Sequence, residues 1–257
     1  MSGESYWNKI VTSIKPVPDN KKVWAQTTTH VLQSVTSQGL ELGKKIKLCV
    51  VIVEPRKHKW LQGVLYNMAH VYGGRSDIGI YIFHGTDNYQ FIHDIIPDWQ
   101  NVNYVQLPVA NLTIGAYSKL LTTADFYRNF NCAEHVLIFQ TDSLIRKPID
   151  EVYFQYSWCG APWSFMRHGG CGNGGFSLRR VSTMIDICNK YGSTERAEDL
   201  YFNSHLKPGI DYPPKDLQTR FSCETIFHPD PCGVHCTYKH IQEPAKLQIL
   251  LAHIPNI

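Results

Sequence analysis

Several well-known sequence signatures are missing from this chain of 257 residues, and their absence narrows its possible functions. No GxGxxG follows the first apolar run, and neither GxxxxGK[ST] nor GxSxG occurs. A dinucleotide-binding Rossmann enzyme, a P-loop NTPase and an α/β-hydrolase are therefore disfavoured. The chain also has no internal repeat and no dense Lys/Arg run of the kind that binds nucleic acid. With 43% hydrophobic and 18% charged residues, the chain can bury enough apolar surface to fold, which disfavours disorder. Its length suits one large α/β domain, or at most two small ones.

The eight cysteines include no CxxC pair, and the N-terminus has no apolar core of a secretory signal. No apolar run approaches the roughly 20 residues that a membrane-spanning helix needs. We therefore expect reduced thiols in a cytoplasmic or host-cytoplasm-like compartment, with no signal peptide, membrane span or nucleic-acid partner. Cys232, His235 and Cys236 lie close together, but a structural zinc site needs four ligands and no second pair is evident.

Apolar runs alternate with amphipathic segments along the chain. Buried strands are predicted for residues 48–53, 78–85, 103–107 and 135–143. Helices are predicted for residues 22–38, 58–72, 89–96 and 115–129. This alternation predicts a Rossmann-like, mostly parallel central sheet flanked by helices, followed by a mixed half with shorter apolar runs. The predicted organisation is an N-terminal helical extension, 1–43, and one domain, 44–257, made of a nucleotide-binding half, 44–149, and an acceptor and metal half, 150–257.

Polar residues stand at the carboxyl ends of three predicted strands. These ends are 54–56 (Glu-Pro-Arg), 84–87 (His-Gly-Thr-Asp) and 140–143 (Gln-Thr-Asp-Ser). Ligands of open parallel sheets bind at this edge, so we expect the three segments to converge on one crevice. Asp142, with Gln140 two residues before it, could hold a hard divalent cation, which takes oxygen ligands and commonly completes its shell with substrate phosphates. A turn-capping role is the ordinary alternative for Asp142.

Three further segments carry groups suited to chemistry. Residues 169–180 hold five glycines within seven residues and Asn173, which can both donate to and accept from a sugar hydroxyl. Glu198 and Asp199 open a predicted helix, where one could act as a general base or both could simply complement the helix dipole. His235 and Lys239 could complete a metal shell and meet a phosphate, although a surface histidine is the plain alternative. Trp163 could stack on a sugar or a base, or belong to the core.

In this order, the segments resemble those of glycosyltransferases of the GT-A fold. QTDS resembles the Asp-x-Asp metal motif with Gln140 in the first position, and GNGGFSLR resembles the Gly-rich motif of the acceptor-side half. EDLYF resembles the helix start that supplies the base in inverting members, and GVHCTYK resembles the C-terminal His-x-x-x-Lys element. The set is most similar to a family of GT-A-like domains of unassigned activity found in fungi, protists, bacteria and large viruses, and the similarity covers about residues 46–240.

The resemblance implies a single GT-A-like domain and an enzyme that transfers a sugar from a nucleotide-diphosphate donor, with UDP-sugar expected, to a hydroxyl of a glycan, protein or small molecule. It implies Mn²⁺ or Mg²⁺ as the cofactor, held by Asp142 and His235, with Asp199 or Glu198 as the catalytic base. The donor-binding residues implied are Glu54, Arg56, Asp87, Gln140, Asp142 and Lys239. The sugar- or acceptor-binding residues implied are Trp163, Asn173, Gly174 and Gly175.

Gln140 is the departure from the family pattern, because an amide offers only a neutral oxygen to a cation. Two alternatives therefore stand beside the transferase. One is a non-catalytic nucleotide-sugar-binding module of the same fold. The other is a sugar nucleotidyltransferase, which is disfavoured because the first strand is not followed by a Gly-rich phosphate loop.

Overall fold

The structure, a computed structural model, describes residues 2–16, 45–73, 75, 77–96, 102–166, 169–252 and 254. Its strands are β1 Ile46–Val53, β2 Ile78–His84, β3 Val102–Gln106, β4 Ala133–Phe139, β5 Ser143–Ile145, β6 Trp158–Cys159, β7 Phe176–Arg180, β8 Ser222–Cys223 and β9 Gly233–His235. Its α-helices are α1 Gly3–Ser13, α2 Leu61–Tyr72, α3 Tyr89–Ile95, α4 Ile114–Leu121, α5 Ala124–Arg128, α6 Val181–Tyr191, α7 Glu198–Asn203, α8 Lys215–Phe221, α9 Thr237–His240 and α10 Pro244–Ala252.

The central sheet has six strands in the order β3-β2-β1-β4-β7-β6. Strands β1 to β4 run parallel, while β7 pairs antiparallel with both β4 and β6. The chain moves outward from β1 to β3 and then returns to the other side of β1 with β4. This reversal makes the gap beyond the carboxyl ends of β1 and β4 the point where a ligand can enter an open sheet. The prediction of a mostly parallel α/β sheet flanked by helices is confirmed.

Strand β1 explains why both faces of the sheet are covered. Leu48, Val50 and Ile52 point into one hydrophobic cluster together with α1 and α2. Cys49, Val51 and Val53 alternate with them and point into a second cluster on the opposite face. Alternation of side chains along a strand thus divides one apolar run between two cores. All eight cysteines are free thiols, and seven of them are buried.

A small second sheet, ordered β5-β9-β8, lies beside the end of β4. Its central strand β9 pairs antiparallel with β5 and parallel with β8. The antiparallel register sets Ser143 opposite His235, so a residue near the C-terminus comes to the carboxyl end of β4. Strands β6 and β7 of the second half extend the central sheet, while the division of the domain at residue 150 stays a prediction.

Two predicted elements differ from the structure. The helix predicted for 115–129 is two helices, because the Thr123 hydroxyl accepts a hydrogen bond from the Phe126 N–H and starts a new helix there. The strand predicted for 135–143 ends at Phe139, because the Ser143 N–H bonds the Gln140 carbonyl at 3.0 Å and closes a turn. The helix predicted for 22–38 lies outside the described residues.

Within the described part of the chain, no helix is long and apolar enough to cross a bilayer.

Candidate functional site

A cleft of about 380 Å³ opens at the carboxyl ends of β1 and β4. Its walls come from residues 53–56 after β1, from positions within 111–118 around the start of α4, from 140–142 after β4, and from 197–199 at the start of α7. Three of these segments were singled out by their sequence. The volume lies within the range of about 300–1,000 Å³ that is usual for small-molecule sites.

The turn after β4 brings Asp142 and His235 together. The Ser143 hydroxyl accepts a hydrogen bond from the Gln140 N–H at 3.2 Å and donates one to the Gly175 carbonyl at 2.9 Å, which fixes the turn. Cys236 then adopts a left-handed φ of 52°, and its N–H donates to the Asp142 carbonyl at 2.9 Å. This conformation is unfavourable for a side chain other than glycine, so the backbone is strained where His235 meets Asp142.

His235 lies between two carboxylates. Its Nε2 is 3.3 Å from Asp142 Oδ1, and its Nδ1 is 3.3 Å from Glu224 Oε1. The Nδ1 contact has the distance of an ion pair but not the alignment of a hydrogen bond. Burial would lower the pKa of His235, yet Asp142 and Glu224 outweigh it and raise that pKa to about 9. Burial would likewise raise the pKa of Asp142, but His235 and then Lys239 bring it down to about 2.

The same atoms can supply a donor set for a divalent cation if the cation displaces the proton that a pKa of about 9 leaves on His235 at neutral pH. Gln140 Oε1 also lies 3.3 Å from His235 Nε2, so an amide oxygen, a carboxylate oxygen and an imidazole nitrogen converge. Neighbouring ligands of an octahedral Mg²⁺ stand roughly 3 Å apart, which these spacings approach. No group of three or more His, Cys, Asp or Glu side chains in the described ranges is arranged to hold a metal ion. The donor set therefore fits Mn²⁺ or Mg²⁺ only with phosphate oxygens completing the shell.

The Gly-rich loop packs directly behind these groups. A Cβ at Gly175 would collide with the His235 ring, and one at Gly174 would collide with the Glu198 carboxylate. The Asn173 side chain accepts from the Gly175 N–H at 2.6 Å and donates to Glu224 at 3.1 Å. None of the three loop residues is among those that line the cleft. The glycines are thus required for close packing, and Asn173 holds Glu224 against His235.

Glu198 and Asp199 occupy different environments although they are adjacent. Glu198 is buried and pairs with the fully buried Arg179 at 3.1 Å, and Arg179 also donates to Tyr127 at 2.9 Å. Arg179 lies over the Trp158 ring at 4.1 Å, which further fixes its guanidinium. Glu198 is therefore held against Arg179 through its Oε1 atom, and it lines the cleft beside Asp199.

Asp199, unlike Glu198, has no ion-pair partner among the described residues. It accepts hydrogen bonds from the Leu200 N–H at 2.7 Å and from the Gly174 N–H at 3.4 Å, and it lines the cleft. Burial, followed by the negative charge of Glu198, raises the pKa of Asp199 to about 6. A carboxylate with a pKa near neutrality that faces a cleft has the properties of a general base.

The β1 end is organised by two residues. Both oxygens of the buried Glu54 carboxylate bind the Arg56 side chain, with N···O distances of 2.8 Å, so Arg56 is aimed along the cleft wall. The Asn88 amide, which is fully buried, accepts from the Gly85 N–H and donates to the Glu54 and Arg56 carbonyls. This clamp ties the ends of β1 and β2 together.

Besides the loop residues and His235, three further predicted site residues do not line the cleft. Asp87 is exposed and does not line the cleft, because β2 stands on the far side of β1 from the gap between β1 and β4. Trp163 is 5% exposed, belongs to the second hydrophobic cluster and packs beside Phe165. Lys239 lines a second cavity, of about 620 Å³, between α1 and α10. It still acts on the cleft, since its charge lowers the pKa of Asp142.

Sequence reasoning missed three residues that complete the site: Tyr117, Arg179 and Glu224. Arg179 could have been identified from the sequence, because a charged residue at an inward position of the Phe-Ser-Leu-Arg strand needs a buried counter-charge. Glu224 follows β8, and its approach to His235 depends on pairing between β8 and β9, which no local pattern shows. Tyr117 was predicted on the apolar face of a helix, where it could not be distinguished from a residue of the hydrophobic core.

A family model described as "Protein of unknown function (DUF5672)" matches residues 101–235, which is more than half of the chain. The chain belongs to the DUF5672 family. The matched range begins before β3 and includes Asp142, Asp199 and His235, and it ends at the last of these. The DUF5672 match therefore spans every segment of the cleft wall except residues 53–56. A search of curated proteins found no match.

Several solved structures show partial similarity to this DUF5672 chain. TarS 1–349 from S. aureus in complex with UDP is 16% identical, with a TM-score of 0.44, and the match covers 61% of this chain and 54% of that one. The glycosyltransferase GlyE from Streptococcus pneumoniae is 14% identical, with a TM-score of 0.46 and coverages of 74% and 55%. The mannosyltransferase PcManGT from Pyrobaculum calidifontis, in complex with GDP-Man and Mn²⁺, is 10% identical, with a TM-score of 0.41 and coverages of 77% and 62%. The chain thus spans between half and two thirds of the length of these proteins.

Proposed function

We propose that the chain is a glycosyltransferase that moves a sugar from a nucleotide-diphosphate donor, with UDP-sugar as the first choice, to a hydroxyl of a glycan, protein or small molecule. One observation carries the proposal. Asp199, a carboxylate with a raised pKa, lines the same cleft as Asp142, whose partner is His235. The proposal includes the grouping of the chain with the GT-A-like domains that its motifs resemble.

Asp199 is the proposed general base. It would take the proton of the acceptor hydroxyl while the acceptor oxygen bonds to the anomeric carbon and the bond from that carbon to the diphosphate breaks. The nucleoside diphosphate leaves with the electron pair of the broken bond. Glu198 keeps its negative charge beside Arg179 and thereby maintains the basicity of Asp199.

The part of the cleft wall that Asp142 forms would bind the leaving group. Asp142 and His235 would hold Mn²⁺ or Mg²⁺, with the neutral oxygen of Gln140 close to them. A bound divalent cation neutralises charge that develops on a departing diphosphate. Arg56 on the cleft wall and Lys239 behind Asp142 would add positive charge at the same end.

The test is a panel of UDP-glucose, UDP-galactose, UDP-N-acetylglucosamine and GDP-mannose with Mn²⁺. Calorimetry would measure binding of each donor, and release of the nucleoside diphosphate would measure turnover, with water as acceptor. We expect at least one donor to bind and to be consumed, and EDTA to reduce both signals. Absence of binding and of turnover across the panel would refute the proposal.

A second candidate function is a nucleotide-sugar-binding module without catalysis. Gln140 favours it, because the amide oxygen contacts the His235 nitrogen that would otherwise face a cation and adds no charge to the site. This candidate predicts donor binding that EDTA does not change and no release of nucleoside diphosphate. The same panel therefore separates the two functions.

A further inference from the structure

Glu224 is a buried acidic side chain, 7% exposed, that pairs with no lysine or arginine among the described residues. Its Oε1 atom instead lies near three nitrogens: Asn173 Nδ2 at 3.1 Å, His235 Nδ1 at 3.3 Å and His240 Nε2 at 4.0 Å. A carboxylate taken out of water destabilises the fold unless nearby groups compensate its charge. Glu224 is therefore placed to act on His235 and not to neutralise a basic side chain of the core.

Pairing between β8 and β9 sets Glu224 beside His235. The two strands run parallel, and the residue before Glu224 is paired with the residue before His235, so these two side chains are neighbours across the strands. Asn173 joins them to the Gly-rich loop, because its side chain donates to Glu224 and accepts from the Gly175 N–H at 2.6 Å. The backbone at Gly175 packs so closely on the His235 ring that a Cβ there would collide with it. Glu224 and Gly175 together limit how the ring can turn.

The two ring nitrogens of His235 face different groups. Nε2 lies 3.3 Å from Asp142 Oδ1 and 3.3 Å from Gln140 Oε1. Nδ1 has no hydrogen-bond partner among the described residues, and Glu224 Oε1 is the acceptor atom that lies 3.3 Å from it. A neutral imidazole carries one proton, and the nitrogen without the proton supplies the lone pair to a cation. A carboxylate beside Nδ1 favours the proton on that nitrogen, which leaves the lone pair on Nε2, beside Asp142.

We propose, on the basis of the proposed function, that Glu224 is a positioning residue, which keeps the proton of neutral His235 on Nδ1 and so presents Nε2 to the divalent cation. Metal-binding histidines almost always donate their other ring N–H to a carboxylate, a carbonyl or water, and this partner fixes the ring and its tautomer. Glu224 itself would touch neither the cation nor the sugar. It would act through His235, and Asn173 would support it by holding the carboxylate in place.

Glu224→Gln tests the proposal, because it removes the charge of the side chain and keeps its shape and an oxygen that Asn173 can bind. Electron paramagnetic resonance of Mn²⁺ in the presence of UDP would measure the affinity for the ion, with protein-free UDP as the blank. The control is Glu243→Gln, because that glutamate is paired with Lys246 at the surface. We expect the affinity for Mn²⁺ to fall by about 10- to 100-fold in Glu224→Gln and to change by less than about twofold in Glu243→Gln.

A second measurement separates positioning from a structural role. Electron spin-echo modulation of the bound Mn²⁺ detects a coordinated imidazole nitrogen, and His235→Gln serves as the reference without it. Wild type should show the nitrogen signal, and Glu224→Gln should show it weakened even when enough Mn²⁺ is added to fill the site. Glu224→Asp keeps the charge but draws it back by one methylene, so it should keep the signal and bind Mn²⁺ with an intermediate affinity.

Three results would overturn the proposal. Equal Mn²⁺ affinities of wild type and Glu224→Gln would show that His235 binds the ion without help from the carboxylate. A weaker affinity with an unchanged nitrogen signal would indicate that Glu224 acts on the fold or by its charge alone. Absence of the nitrogen signal from wild type would remove His235 from the metal shell.

Two further outcomes have a defined meaning. If Glu224→Gln does not fold, Glu224→Asp replaces it in the test, and an affinity for Mn²⁺ equal to that of wild type would contradict the proposal. Failure of the wild type to bind UDP with Mn²⁺ would contradict the proposed function, and this inference with it. Binding by the wild type without any effect of Glu224→Gln would contradict this inference alone.

Discussion

Removing one partner of the ion pair between Arg179 and Glu198 should destabilise the chain far more than removing one partner of an exposed ion pair. The Arg179 side chain is fully buried, with one nitrogen 3.1 Å from Glu198 and another 2.9 Å from the Tyr127 hydroxyl. Arg179→Met keeps much of the apolar stem but leaves the Glu198 carboxylate buried without a counter-charge. Breaking a buried pair in this way costs about 3–5 kcal/mol, which is a large part of the about 5–15 kcal/mol that stabilises a typical domain.

The assay is urea unfolding followed by circular dichroism, with melting temperatures measured in parallel. For a chain of this size, the expected loss corresponds to a melting temperature lower by about 6–20 °C. Arg128→Met is the matched control, because Arg128 pairs with Asp125 on the surface, and such exposed pairs contribute about 1 kcal/mol or less.

A double variant, Arg179→Met with Glu198→Gln, separates the charge from the packing. Removing both charges should recover at least about 1 kcal/mol relative to the sum of the two single losses. A loss below about 1 kcal/mol for Arg179→Met, or strictly additive losses in the double variant, would refute the reasoning that Arg179 exists to neutralise Glu198.

Three further predictions concern activity and binding. With a base whose pKa is about 6, turnover should fall by about tenfold between its plateau and pH 5, because Asp199 becomes protonated below its pKa. Glu198→Gln should shift the acidic limb of the pH–rate profile to lower pH, since the Glu198 charge helps to raise the pKa of Asp199. An acidic limb at the same pH as in wild type would contradict this effect of Glu198 on Asp199. Gly175→Ala should weaken Mn²⁺-dependent UDP binding by at least about tenfold in calorimetry, because its methyl group would displace His235 from Asp142. Gly115→Ala is the control, since a Cβ there makes only ordinary contacts, and equal binding by both variants would refute the prediction.

The central sheet was predictable because the residues of its first strand alone indicate a strand that is buried on both faces. The run from Leu48 to Val53 is apolar at every position, which is typical of a strand covered on both faces, and the structure divides these side chains between two cores. The Asp87 prediction shows the limit of the same reasoning. Which strand ends share a crevice depends on the order of the strands in the sheet. In that order β4 lies beside β1 rather than beside β3, and the sequence of the single strands does not indicate this.

The second sheet was not predictable in detail. Its strands have two or three residues, too few for a periodic pattern, and β5 pairs with β9, which is far from it in the sequence. Asp142 and His235 were grouped from motif order, and the structure places them 3.3 Å apart. Glu224 could not be grouped with them, because an acidic residue after a two-residue strand has no signal of its own. The ligand roles of Asp142 and His235 stay predictions.

Release of UDP from the preferred UDP-sugar, in the presence of Mn²⁺, tests the central claim most directly when wild type is compared with Asp199→Asn. Asp87→Asn is the matched control, because it makes the same chemical change at an exposed position outside the cleft. The account predicts turnover by wild type, a loss of about 100-fold or more in Asp199→Asn, and a rate within about twofold of wild type in Asp87→Asn. Undiminished turnover in Asp199→Asn would contradict it.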